Sequence, residues 1–127
     1  MARQTRKPVP PLGEQLRAAR EAARLSLAET VSLVRHGPVP SVLYHLERGR
    51  GRLVVLCKVA KALGRDLRLP SVTRLREERG LTRQELAELA NIHPGTLRKM
   101  ERDPTDALVD RAESVYRALG EPLKLTA

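Results

Sequence analysis

The sequence predicts an all-α chain built from two tandem copies of one small unit, each copy four short helices followed by a short terminal strand. Three matches predict it. "KALGRDLRL" at 61–69 and "RALGEPLKL" at 117–125 share one order of small, apolar, glycine and basic residues, 56 positions apart. "RAAREAARLSLAE" at 17–29 lies 56 positions before 73–85, placing Arg20 over Arg76, Leu25 over Leu81, Ser26 over Thr82 and Glu29 over Glu85. "LYHLERG" at 43–49 matches "LRKMERD" at 97–103, now 54 apart, so the first copy carries two extra residues in "RHGPVP". Self-similarity at a period of about 55 residues marks a duplicated unit. The predicted organisation is a basic flexible N-terminal arm over 1–11, a first unit over 12–69 and a second over 70–127.

A unit of about 55 residues is near the lower limit for folding alone, so the two should lean on each other. A formal net charge of +9 and a sequence pI near 10.8 make a polyanion the expected partner, nucleic acid ahead of membrane. The bland alternative is arginine that only solubilises helices. Tyr44 and Tyr116 are the only aromatic residues, too few for the stacking platforms that single strands and RNA require. Duplex DNA needs none. Cys57 is the only cysteine and lies among apolar neighbours, which excludes an internal disulfide, suits a reducing cytoplasm and reads as a core residue. No apolar run approaches membrane-spanning length, and "MARQTRKPVPPL" lacks a signal-peptide core.

The elements of the second copy follow in order. Ser71 caps a first helix over 72–79 that Gly80 stops. Thr82 and Glu85 form a capping box, and Leu86, Leu89 and Ala90 give the second helix an apolar face up to Asn91. "NIHPG" makes the turn, with Pro94 suited to the first turn of a third helix, "PGTLRKMER". Asp106 is the expected cap of a fourth, whose inward stripe is Val109, Ala112, Val115, Ala118 and Leu119 before Gly120. "PLKL" at 122–125 alternates like a strand. The first copy repeats the plan with helices near 13–24, 26–35, 40–48 and 52–63 and a strand "DLRL" at 66–69. Two short helices joined by a tight turn, the second running into Glu-Arg, make a helix-turn-helix pattern in each copy.

"LREERGLTRQELAELANIHPGTLRKMERD" resembles the helix-turn-helix of the Xre family, also called lambda-repressor-like: Arg-x-x-x-Gly-Leu-Thr, then Glu-Leu-Ala, then a helix ending Glu-Arg. The first copy matches it more loosely. The resemblance implies structural ion pairs between Arg20 and Glu47 and between Arg76 and Glu101. It also implies a third helix lying in the major groove, braced by the second. By similarity, the second copy presents His93, Thr96, Arg98, Lys99 and Arg102 to DNA, with Arg83 facing phosphate. Pro94 and Gly95 cannot make bidentate contacts with a base edge, which shifts the reading onto Arg98 and Lys99.

The first copy departs further, with Leu27 and Ala28 at the start of helix two and Val31 where the second copy has Ala87. Its third helix offers Ser41, Tyr44, His45 and Arg48. Arg50 and Arg52 follow in "RGRGR" as phosphate clamps, a solvated loop being the alternative. Arg3, Arg6 and Lys7 in the arm can reach a minor groove or wrap a backbone, as basic arms do, a disordered solubilising tail being the alternative.

The function implied is a sequence-specific regulator of transcription that binds double-stranded DNA, a repressor, with an autoregulating antitoxin as one form. It would be cytoplasmic and nucleoid-associated, with no membrane partner. The resemblance also implies that the terminal strands pair, making one chain a pseudo-dimer with recognition helices about 34 Å apart. A homodimer of whole chains remains the other assembly. The competing reading is a degenerate helix-turn-helix interaction protein that binds a toxin, polymerase subunit or phage protein with residual DNA affinity. His36, His45 and His93 lack metal-ligand spacing, and neither a catalytic constellation nor a cofactor motif is present, so no metal, cofactor or enzyme activity is expected.

Overall fold

The computed structural model describes residues 8–127, so the arm's cations Arg3, Arg6 and Lys7 lie outside the described residues. The first half runs α1 (Leu12–Ala22), α2 (Leu27–Ser32), α3 (Pro40–Leu46), α4 (Leu53–Ala62) and β1 (Asp66–Leu67). The second half repeats that order as α5 (Val72–Glu78), α6 (Arg83–Ala90), α7 (Pro94–Arg102), α8 (Val109–Ala118) and β2 (Leu125–Thr126).

Matching chemistry starts and stops matching helices. Ser26 and Glu29 close a capping box on α2, and Thr82 and Glu85 close one on α6. The left-handed residue after α1 is Arg24 (φ 58°) and after α5 it is Gly80 (φ 64°), 56 positions on. The repeated "ALG" ends α4 and α8 alike. Gly64 and Gly120 both adopt φ 74°, and the next amide returns to the helix, Arg65 N–H to Ala60 and Glu121 N–H to Tyr116. Glycine takes this conformation without a Cβ clash.

The halves share one core. Leu12, Leu16, Leu43, Leu46, Leu53 and Leu56 of the first half are fully buried in the same cluster as Leu86, Leu97, Met100, Val115 and Tyr116 of the second. Two backbone pairings join the halves. Leu53 N–H donates to Ala107 O and Val109 N–H donates to Gly51 O, each at 2.9 Å, around the bridge Arg52–Leu108, whose residues are 56 apart. A shift of 56 turns one bond into the other. β1 and β2 pair antiparallel with Asp66 opposite Thr126 and Leu67 opposite Leu125. Continuing that register sets Arg68 opposite Lys124, again 56 apart.

Several boundaries differ from the sequence expectation. The strands, expected at 66–69 and 122–125, are two residues each, and β2 lies at 125–126. Three causes shorten them. Arg68 would face Lys124 with like charge, Pro70 and Pro122 lack an N–H, and Gln15 on α1 takes the backbone of Leu123 and Leu125. Asp106 does not cap α8. Leu108 holds the cap position and the first N–H goes to Gly51, while Asp106 N–H closes a turn onto Asp103. Leu89, expected on the inward face of α6, is 63% exposed, because at the edge of the stripe nothing packs above it. α2 stops at Ser32 rather than 35 and α3 at Leu46 rather than 48. The longer turn of the first half consumes 33–35, with His36 left-handed at φ 54°, and a tight turn running into Gly49 at φ 81° takes 47–48.

Candidate nucleic-acid interface

α6 and α7 are joined by Asn91, left-handed at φ 56°, then Ile92 and His93. His93 Nδ1 accepts the Gly95 N–H at 2.9 Å, so this ring caps α7. A Cβ on Gly95 would press on that nitrogen at 3.0 Å. Pro94 occupies the first helical position, where its missing N–H costs nothing. Leu97 and Met100 hold α7 on the core with no exposure, which turns Arg98, Lys99 and Arg102 to solvent and leaves Thr96 half-buried.

Glu101, at the inner end of α7, joins three helices. Arg76 Nε of α5 donates to it at 2.7 Å and Arg83 Nε of α6 at 2.8 Å. Burial pushes the Glu101 carboxyl up, but the two arginine hydrogen bonds outweigh it and hold the group below the ordinary carboxylate range. Arg76 also donates to Leu81 O at 2.9 Å, tying α5 to the start of α6. With its charge engaged by Arg76 and Arg83, Glu101 subtracts little from the outward face, which carries three cations.

Arg20 and Glu47 stand in the equivalent places of the first half, Nε to Oε2 at 2.6 Å, with Arg20 also donating to Leu25 O. The hydrogen bond to Glu47 raises the Arg20 pKa against the cost of burial. Glu47 has no second arginine, because Leu27 holds the position of Arg83. Pairing of Arg83 with Glu101 was not expected, yet that exchange between the copies was the available signal. Arg83 remains 41% exposed on its other side.

Ser41, Tyr44 and His45 of α3 and Arg48 just after it are exposed. The Arg48 guanidinium lies over the Tyr44 ring at 3.4 Å, and His45 meets the same ring edge-on at 5.4 Å. Arg50, between Gly49 at φ 81° and Gly51 at φ 133°, and Arg52 after them are exposed in the following loop.

Among the described residues no three His, Cys, Asp or Glu gather as a metal site, and no helix is long and apolar enough to cross a membrane. Burial raises the Cys57 thiol, as in a core residue. No curated protein and no solved structure matches the chain. Its α5-to-β2 segment, residues 72–125, is similar to one family model, that of the helix-turn-helix.

Proposed function

We propose that this protein is a sequence-specific regulator of transcription that binds double-stranded DNA and acts as a repressor in the cytoplasm, on the nucleoid. One observation carries the reading: α7 is seated by Leu97 and Met100 so that Arg98, Lys99 and Arg102 face outward together, next to a carboxylate already engaged by two arginines. Lys99 and Arg98 read base edges, since a long cation reaches guanine acceptors in the major groove. Arg102, and Arg83 through its exposed side, meet phosphate. Arg50 and Arg52 add phosphate contacts from the first half.

The chain is two tandem helix-turn-helix units fused as a pseudo-dimer. The reciprocal bonds of Leu53 to Ala107 and Val109 to Gly51 support that reading, as does the strand register centred on Arg68 and Lys124.

A salt titration of binding to random duplex and to DNA upstream of the protein's own gene tests the function. Upstream DNA should bind at least about a thousandfold tighter, with affinity falling steeply as salt rises. Equal, weak binding to both fragments would overturn sequence-specific regulation.

A further inference from the structure

The two halves put different chemistry at the same surface positions. Counted back from Glu47-Arg48 and Glu101-Arg102, Val39, Val42 and Tyr44 stand where the second half has His93, Thr96 and Arg98. The inward positions keep their character, Leu43 matching Leu97 and Leu46 matching Met100, all with no exposure. The outward exchange is therefore not a repacking of the core. Val39 is 60% exposed, Val42 37% and Tyr44 43%, half of the large apolar residues exposed among those described. Val42 N–H donates to Val39 O, which places these two on one edge of the exposed face. Tyr44 lies on the other edge, with Ser41 and His45 between them.

Charge around this face has one sign. From Thr30 to Arg65 the only acidic residue is Glu47, which is buried and bound to Arg20. Arg35, Arg48 and Arg50 are exposed in the same stretch. Arg48 is held over Tyr44 by the cation–π contact and by its hydrogen bond to Tyr44 O at 3.0 Å, so a cation is fixed beside an apolar ring. Tyrosine and arginine in such pairs are the residue types that dominate binding hot spots.

We infer that α3 and the turn before it form a docking site for an acidic amphipathic helix of another protein. The partner's apolar stripe covers Val39 and Val42 on one edge, and its carboxylates meet Arg35 and, on the other edge, the Arg48 held over Tyr44. Duplex DNA satisfies the cations, but the valines offer base edges neither donor nor acceptor and meet DNA only through a thymine methyl. An acidic amphipathic helix satisfies both. The second half keeps polar and basic groups at these positions and stays available to DNA, so one chain joins a DNA site to a protein partner.

The test displays helical peptides of about 18 residues, one face Leu and Ile and the rest randomised among Asp, Glu, Lys and Arg, and selects them on the full chain. Enriched peptides should be acidic. They should bind the double variant Val39→His, Val42→Thr about tenfold or more weakly, with DNA affinity changed by no more than about twofold. The single variant Val42→Thr, checked by circular dichroism, should show the same direction and covers the case in which the double variant misfolds. Three results would overturn the proposal: no enriched peptide that distinguishes the variants, a loss of DNA affinity of about tenfold in them, or self-association of the wild type that they abolish. The last two would reassign the face to DNA and to a second copy of this chain.

Discussion

The Glu113 carboxylate on α8 accepts the backbone N–H of Leu12 at 2.9 Å, so the first turn of α1 is capped from 101 positions away. α1 has no side-chain cap of its own, since Pro11 precedes it. Burial pushes the Glu113 carboxyl above the ordinary range, against the opposing pull of the Leu12 N–H and Arg117. Glu113→Gln keeps an acceptor oxygen and removes the charge that burial disfavours, so stability should hold or rise. Glu113→Ala should lose about 1 kcal/mol, the usual worth of a cap. A raised native value also means that stability declines as pH climbs from about 4.3, the ordinary glutamate value, through the native one. Urea unfolding across pH should show that decline in wild type and its removal in Glu113→Gln; equal losses for both variants would sink the capping role.

Glu101 holds two guanidinium groups and Glu47 one. Glu101→Ala strands Arg76 in a largely buried site and should cost about 3 kcal/mol. Arg83→Ala leaves the Arg76 pair intact and removes a partner 41% exposed, so its cost should stay below about 1 kcal/mol. Denaturant midpoints that rank the two variants the other way would show that Arg83, not Arg76, carries the junction.

Acid should act through depressed carboxylates. Backbone and side-chain hydrogen bonds from Ser26 lower Glu29 and those from Thr82 lower Glu85, while Glu101 is lowered by its arginines. For groups shifted this way, the stabilisation is fully present above the ordinary carboxylate value of about 4.3 and is lost as pH falls through the native values. Glu101→Gln should flatten this acid limb in thermal melts, and an unchanged limb would remove Glu101 from its causes.

Gly13 lies where α1 crosses the end of α3. A Cβ there would sit 2.5 Å from Glu47 O and 2.6 Å from Leu46 O, both backbone atoms that a rotamer change cannot move. Gly13→Ala should destabilise by about 1–3 kcal/mol, the range for overpacking, although alanine favours helix. A neutral result in chemical unfolding would mean that α1 slides freely on α3.

The halves should not fold apart. Residues 1–69 alone would lose the Glu113 cap, the Ala107 carbonyl that receives Leu53 N–H, and half of the shared core. Each fragment should be largely unstructured by circular dichroism, and mixing should restore helix, because about 55 residues bury too little apolar surface alone. A folded 70–127 fragment would make the first half an appendage instead of a partner.

Local chemistry is legible in the sequence. Capping boxes at Ser26 and Thr82, the left-handed glycines Gly64 and Gly120, and the α7 residues that turn outward are all set within spans shorter than about ten residues, where a cap, a φ value or a helical period decides the outcome. The repeat at 56 positions also made visible the order of elements that α1 to β1 and α5 to β2 share. Only the tertiary structure decided which distant groups meet. Leu12 finds Glu113, Tyr116 donates its hydroxyl to Pro70 O at 2.6 Å, Gly51 takes the place foreseen for Asp106, and Gln15 takes the backbone that longer strands would have used. The exposure of Leu89 and Val39 was settled in the same way, by what lies above each residue and not by its place in a helical period. A buried backbone group must be paired, but when its partner lies about 100 positions away, packing alone selects which one.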